Sequence, residues 1–145
     1  MHTVSQIVRE FFERYERSRN TMNAGLIDEQ YPDAFTFAGP TGARIAEKQA
    51  VIASLSKGHQ FLKTLGHRST SLVSLDEMML DEHYTLVRAK FVWRFEKPSA
   101  QPIDVEVDST FILYIKDGEP KIVFQHEHED FWQALRTRGV LPAQG

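Results

Sequence analysis

Residues 103–129 read IDVEVDSTFILYIKDGEPKIVFQHEHE, and this stretch decides the fold. It predicts two long strands, residues 103–116 and 120–129, joined by a tight turn at Asp117-Gly118. An Asp-Gly pair favours a two-residue hairpin because both central positions of that turn need positive φ. We expect the rest of the chain to cover one face of the sheet that contains this hairpin.

Side chains alternate between the two faces of a strand, so each strand of the hairpin can be divided into faces. In the first strand one face is mostly apolar and comprises Ile103, Val105, Val107, Ser109, Phe111, Leu113 and Ile115. In the second strand one face comprises Ile122, Phe124, His126 and His128. The opposite face comprises Val123, Gln125, Glu127 and Glu129. Neither face of the hairpin is wholly polar, which indicates a core on one side and a partner on the other.

The first part of the chain predicts helices. Residues 3–22 are amphipathic, with apolar side chains at helical spacing from Val4 to Met22. Thr3 and Gln6 match a capping box, and Gly25 is suited to a left-handed cap. A short helix or turn at residues 26–31 follows. Residues 33–38 predict a short strand, residues 39–42 a turn, and residues 45–55 a second amphipathic helix whose buried stripe begins at Ile45. Residues 60–65 fit either a helical turn or a loop.

The remainder of the chain has the period of strands. Residues 67–76 and 83–96 predict strands, and in the second of them an apolar face comprises Val87, Ala89, Phe91, Trp93 and Phe95. Residues 130–137 predict a short terminal helix. Helices that precede an antiparallel meander are typical of an α+β domain with the helices on one face of the sheet.

Composition narrows the class of protein. The chain has 145 residues, 41% of them hydrophobic and 26% charged, which predicts a single globular domain over residues 1–145. The net charge of −3 gives no reason to expect nucleic acid as a partner. There is no cysteine, and no apolar run approaches the roughly 20 residues of a membrane helix. We therefore expect a cytoplasmic protein that contacts neither nucleic acid nor membrane.

Four stretches carry a resemblance to a known family. They are Met22-Asn23-Ala24-Gly25-Leu26, Tyr31-Pro32-Asp33-Ala34-Phe35-Thr36-Phe37, Gly39-Pro40-Thr41-Gly42 and a helix that opens near Ile45. In these the chain resembles, over nearly its whole length, the nuclear transport factor 2-like superfamily, which includes ketosteroid isomerases and polyketide-cyclase-like proteins. The resemblance implies the cystatin-like fold, in which a curved antiparallel sheet wraps round the N-terminal helices as a cone. It also implies an internal pocket and often a homodimer through the outer sheet face.

The resemblance does not extend to the isomerase reaction. The isomerases have a helical tyrosine that polarises the substrate carbonyl, and Tyr15 could occupy that place. Their general base is an aspartate just before the proline of the turn, where this chain has Gly39. Their protonated acid lies on a strand that faces the pocket, and Asp108 is in that part of the chain. Because glycine cannot accept a proton, the isomerase mechanism lacks its base here.

The segment His126-Glu127-His128 is the densest polar cluster. Two histidines at this spacing on a strand lie on one face, roughly 7 Å apart, and could offer imidazoles to a metal. A third ligand would have to come from His67, His83 or Asp108. The same pair could serve in acid–base chemistry near neutral pH, or could simply form local hydrogen bonds at a strand end. Among these possibilities we do not expect the metal site, and we expect no cofactor.

Three functions remain open. The preferred hypothesis is a pocket protein, forming a homodimer, that binds a small, largely apolar or aromatic molecule between Phe35, Phe37, Phe91, Trp93 and Phe124. The second is an enzyme of the isomerase, dehydratase or cyclase kind, with His126 or His128 as general base and Tyr15 or Asp108 as polarising donor. The third is a protein–protein adaptor, which a filled interior would favour.

Overall fold

The computed structural model describes residues 4–142, and within them four helices accompany six strands. In chain order the elements are α1 (Gln6–Thr21), α2 (Ala24–Gln30), β1 (Ala34–Gly39), β2 (Gly42–Glu47), α3 (Lys48–Thr64), β3 (His67–Met79), β4 (Tyr84–Phe95), β5 (Ile103–Lys116), β6 (Glu119–Glu127) and α4 (Phe131–Thr137). The α+β class predicted from the sequence is confirmed. None of the helices described is long and apolar enough to span a membrane.

The strands form one six-stranded sheet in the order β2-β1-β6-β5-β4-β3. All neighbours are antiparallel except β1 and β6, which run parallel, with Thr36 opposite Phe124. The sheet is therefore mixed, with one parallel pair in an otherwise antiparallel sheet. It curls round α1, which contacts both β3 and β6. We call the face toward α1 the inner face and the opposite face the outer face.

The core lies between α1 and the inner face. Val8, Phe11 and Phe12 of α1 are almost fully buried. The ring of Phe12 lies 5.0 Å from that of Phe111 on β5, between centroids, and the Tyr15 ring lies 5.3 Å from that of Phe91 on β4. The inner faces predicted for β4 and β5 are confirmed, because strict alternation holds along both strands.

The ends of α1 differ from the prediction. Ser5 is the N-cap, and its hydroxyl accepts the backbone N–H of Val8. Thr3, half of the predicted capping box, lies outside the described residues. The left-handed residue that ends the helix is Met22, with φ of 49°, and Gly25 lies inside α2 instead. Asn23 starts α2 by accepting the N–H of Leu26, so the break between the helices falls before the glycine.

The stretch predicted as the start of the second helix is partly a strand. Gly39-Pro40-Thr41-Gly42 turns the chain back on itself, and β2 then pairs antiparallel with β1, placing Ala46 opposite Phe35. Ile45 lies in this edge strand and is 69% exposed, so it does not belong to a buried helical stripe. The helix α3 starts at Lys48 and includes residues 60–64, which the sequence left undecided.

A β-bulge in β6 changes which residues face inward. Leu113 of β5 pairs with Ile122, but the preceding Ile112 pairs with Phe124, so Val123 is an extra residue. The alternation is therefore shifted by one after Ile122. Gln125 is 8% exposed on the inner face, whereas Phe124 pairs with outward-facing Ile112. The predicted grouping of Ile122 with Phe124, His126 and His128 was wrong for this reason.

The free edge of β3 is covered by side chains of α1. The amide of Asn20 donates to the carbonyl of Thr70 at 2.7 Å, and its oxygen accepts the N–H of Thr70 at 2.8 Å. One turn earlier, the carboxylate of Glu16 accepts the N–H of Leu72. These bonds satisfy backbone groups that an edge strand would otherwise expose.

Candidate functional site

A cavity of about 350 Å³ lies between α1, α3, α4 and the inner face of the sheet. Its walls are mostly apolar. Phe91 and Trp93 of β4 form one wall, and side chains of α3, including Val51 and Leu55, form another. The ring of Trp93 packs 4.7 Å from that of Phe131 of α4. The alternation of β4 brings its aromatic residues to this space because every second side chain faces inward.

One side of the cavity is polar and is built by a chain of hydrogen bonds that we call the polar chain: Arg19, Tyr31, Gln125, Glu127 and Ser109. The Arg19 guanidinium donates to the Tyr31 hydroxyl at 2.9 Å, which donates to Gln125 Oε1 at 2.6 Å. The Gln125 amide donates to Glu127 Oε2 at 2.7 Å, and Ser109 donates to Glu127 Oε1 at 2.6 Å. All five side chains border the cavity.

Arg19 is a buried cation, 8% exposed. Besides Tyr31 it donates to Ser18 at 2.8 Å and to Gln30 at 3.0 Å, and its guanidinium lies 3.9 Å from the centre of the Tyr15 ring. Burial lowers the pKa of Arg19, but the neighbouring tyrosines outweigh that effect and leave the pKa above its usual value. The guanidinium therefore stays charged inside the protein.

The two tyrosines near Arg19 stay protonated. Burial raises the pKa of Tyr15, and the positive charge of Arg19 opposes the rise. Burial also holds the pKa of Tyr31 well above its usual value. The Tyr15 hydroxyl oxygen lies 3.5 Å from the Gln125 amide nitrogen, which donates to it. The Tyr31 hydroxyl also lies close to that of Tyr15.

Basic side chains also border the cavity. Arg44 of β2 is exposed, borders the cavity and lies 5.2 Å from the centre of the Phe37 ring. His59 of α3 also borders it, and its pKa is lowered by burial and by Lys63. Nearby His67 contacts the Thr70 hydroxyl at 2.9 Å, and its pKa is lowered chiefly by burial.

The structure brings five of the predicted site residues together at the cavity. They are Tyr15, Phe35, Phe37, Phe91 and Trp93. Phe124, Asp108, His126 and His128 do not border it. The bulge at Val123 places Phe124 and His126 on the outer face, and alternation along β5 places Asp108 there as well.

The outward-facing residues form a separate polar cluster. The rings of His126 and His128 lie 4.5 Å apart, and His128 Nε2 lies 2.7 Å from the Thr110 hydroxyl. The pKa of His128 is lowered by its partial burial and then by His126 and Arg88. Arg88 in turn donates to Asp108 at 3.4 Å. Across the part of the chain that the structure describes, no three His, Asp or Glu side chains are placed to hold a metal ion.

The sequence reasoning missed the polar chain. Arg19 follows Tyr15 by four residues and so falls on the buried stripe of α1, a signal that was available. Tyr31 directly precedes a proline, and nothing in the sequence indicated that its side chain is buried. Gln125 and Glu127 could be assigned to the inner face only by knowing of the bulge.

Solved structures show the same architecture. An NTF-2 like protein of unknown function from Shewanella oneidensis superposes with a TM-score of 0.65 at 13% identity, covering 85% of this chain and 97% of that one. An NTF2-like protein from Cytophaga hutchinsonii gives 0.65 at 13%, covering 88% and 100%. A protein of unknown function with a cystatin-like fold from Nostoc punctiforme gives 0.65 at 10%, covering 90% and 96%.

Sequence comparison adds nothing to this: no family model matches the chain, and no curated protein matches it significantly. The structural likeness establishes the fold. The chain has the NTF2-like, or cystatin-like, fold that its sequence motifs led us to expect.

Proposed function

We propose that this protein binds a small, largely apolar molecule in its internal cavity. The observation that carries the proposal is the cavity itself, whose volume of about 350 Å³ falls within the range of small-molecule sites. Its walls are mostly aromatic and aliphatic, the polar chain lies on one side, and Arg44 and His59 border it elsewhere. Such a division suits a ligand with an apolar body and one polar end.

Packing energetics support the same proposal. Protein interiors are packed as densely as organic crystals, and an empty space lined by apolar side chains lowers stability. A protein–protein adaptor has no need of such a space, and a filled interior would have favoured that hypothesis. A bound molecule would fill this space and pack against Phe91 and Trp93, which border it.

The enzyme hypothesis loses its geometric basis. It required His126 or His128 to meet Tyr15 or Asp108 in one cavity. Asp108 and both histidines lie outside the cavity, so the histidines and Tyr15 are on opposite faces of the sheet. A proton cannot pass directly between them. Binding is therefore the function we propose.

We also propose that two copies associate through the outer face. A row of apolar side chains crosses that face from strand to strand, where Met78 pairs with Leu86, Leu86 with Ile112 and Ile112 with Phe124. Met78 is 46% exposed in the isolated chain. An apolar row in the middle of a sheet face is the kind of surface that a second sheet covers.

Binding can be measured without a label. The chain has two tryptophans, Trp93 and Trp132, and both border the cavity. Native mass spectrometry with a library of small aromatic and aliphatic compounds would identify binders, and tryptophan emission would then report their affinity. We expect binders to shift or quench the emission of both residues.

A filled-cavity variant provides the decisive comparison. Val51→Phe adds volume inside the cavity and should weaken binding by about tenfold or more, since the ligand and the new ring compete for one space. Ala53→Phe makes a comparable change at an exposed position of α3 and should leave the affinity unchanged. Equal affinities in the two variants, or a library without binders, would contradict the proposal.

A further inference from the structure

The hydrogen bonds of the polar chain all run toward Glu127. Arg19 donates to Tyr31, Tyr31 to Gln125 and Gln125 to Glu127, while Ser109 donates to Glu127 from the other side. An ionised carboxylate offers about four acceptor positions. The structure fills one position on each oxygen of Glu127, so the carboxylate can accept further hydrogen bonds from the cavity that it borders.

The direction of the polar chain explains how a carboxylate can be placed in an apolar cavity. A cation stands at one end, an anion at the other, and each hydrogen bond between them points from positive to negative. Such aligned bonds polarise one another and strengthen together. Arg19 thus balances the charge of Glu127 through two neutral residues, without contacting it directly.

A donor lies beside this acceptor. The amide nitrogen of Gln125 is 2.7 Å from Glu127 Oε2 and 3.5 Å from the Tyr15 hydroxyl oxygen, so both oxygens border the same part of the cavity. Tyr15 has a proton to give, and Glu127 has acceptor positions to fill. A single small group of the ligand that both donates and accepts a hydrogen bond would satisfy both side chains.

We infer that the polar end of the bound molecule is a hydroxyl group, which donates to Glu127 and accepts from Tyr15. This inference rests on the proposed function, that the cavity binds a small apolar molecule. A carboxylate end would face the negative charge of Glu127. An ammonium end would add a second buried cation near Arg19 and has no acceptor to offer to Tyr15. A hydroxyl group satisfies both side chains and leaves the charge of the cavity unchanged.

The test uses four probes that share one apolar body and differ in their end group: phenylbutanol, phenylbutylamine, phenylbutyrate and butylbenzene. Their affinities are measured by tryptophan emission and by calorimetry. We expect phenylbutanol to bind about tenfold more tightly than each of the others, the typical effect of a hydrogen bond to a charged group. Glu127→Gln should reduce this preference to about threefold or less. Glu106→Gln makes the same change at an exposed position of β5 and should not alter it.

The outcomes separate this inference from the proposed function. If butylbenzene binds as tightly as phenylbutanol, the cavity binds apolar molecules but the hydroxyl inference is wrong. If phenylbutyrate binds most tightly, Arg19 rather than Glu127 holds the polar end, and the inference is again wrong. If all four probes fail to bind, the proposed function itself is overturned. Should Glu127→Gln fail to fold, the order of the four affinities in the unaltered protein decides the question.

Discussion

Arg19 is a buried charged residue that gives the cavity part of its polar side. Arg19 follows Tyr15 by four residues on the buried stripe of α1, although a charged side chain is seldom expected inside a protein. The structure buries it instead, with Ser18, Gln30 and Tyr31 as acceptors. A planar guanidinium can donate to three partners at once, which explains why this position suits arginine.

Replacing this arginine should be costly. Arg19→Met keeps most of the apolar length but leaves the acceptors on Gln30 and Tyr31 without their donor. We expect the free energy of unfolding to fall by about 3 kcal/mol, because a broken buried polar network leaves its other members unpaired. Urea denaturation measures the change. Arg17→Met, at an exposed position of the same helix, should cost no more than about 0.5 kcal/mol. Equal losses in the two variants would show that the buried bonds contribute nothing.

Among the elements, α1 and the edge strand β3 are linked directly, because side chains of the helix bind the backbone of the strand. Asn20→Ala would leave both backbone groups of Thr70 without partners at the sheet edge. We expect faster hydrogen exchange at the Thr70 amide and a loss of about 2 kcal/mol in unfolding free energy. Thr21→Ala removes an exposed bond within the helix and should change neither quantity at β3. Unchanged protection of Thr70 in the Asn20 variant would argue that water replaces the amide without loss.

The elements also show where sequence reasoning succeeds. The strands β4 and β5 were predicted with their faces, because regular alternation of Val87 to Phe95 leaves a single consistent assignment. The strand β6 was predicted, but its faces were not, since the extra Val123 is an ordinary strand residue and carries no sign of a bulge. The edge strand β2 was missed because Ile45, although apolar, is exposed and pairs on one side only.

At the scale of the whole molecule, association of two copies is the main prediction. Ile112→Lys places a charge in the centre of the apolar row on the outer face, and burying that charge against a second copy would be unfavourable. Analytical ultracentrifugation should find a dimer for the unaltered protein and a monomer for this variant. Ile45→Lys, on the exposed strand β2, should remain dimeric. A monomer in the unaltered protein at tens of micromolar would contradict the proposal.

The candidate site as a whole was predicted in part. Aromatic walls follow from alternation and helical spacing, so Tyr15, Phe35, Phe37, Phe91 and Trp93 could be assigned before the structure. The polar side could not, because it combines Arg19, Tyr31 and Gln125 from three separate elements. Its assembly depends on the curl of the sheet and on one inserted residue, neither of which leaves a periodic pattern.

The bulge at Val123 decides which side chains of β6 reach the hollow. If Val123 were paired as an ordinary strand residue, Phe124 and His126 would turn toward the hollow and Gln125 and Glu127 toward water, with no change in sequence. Deletion of Val123 would instead place Phe124 directly after Ile122 and would keep the present faces. The same nine-residue strand thus carries an acidic lining or an imidazole lining according to one local distortion of its backbone.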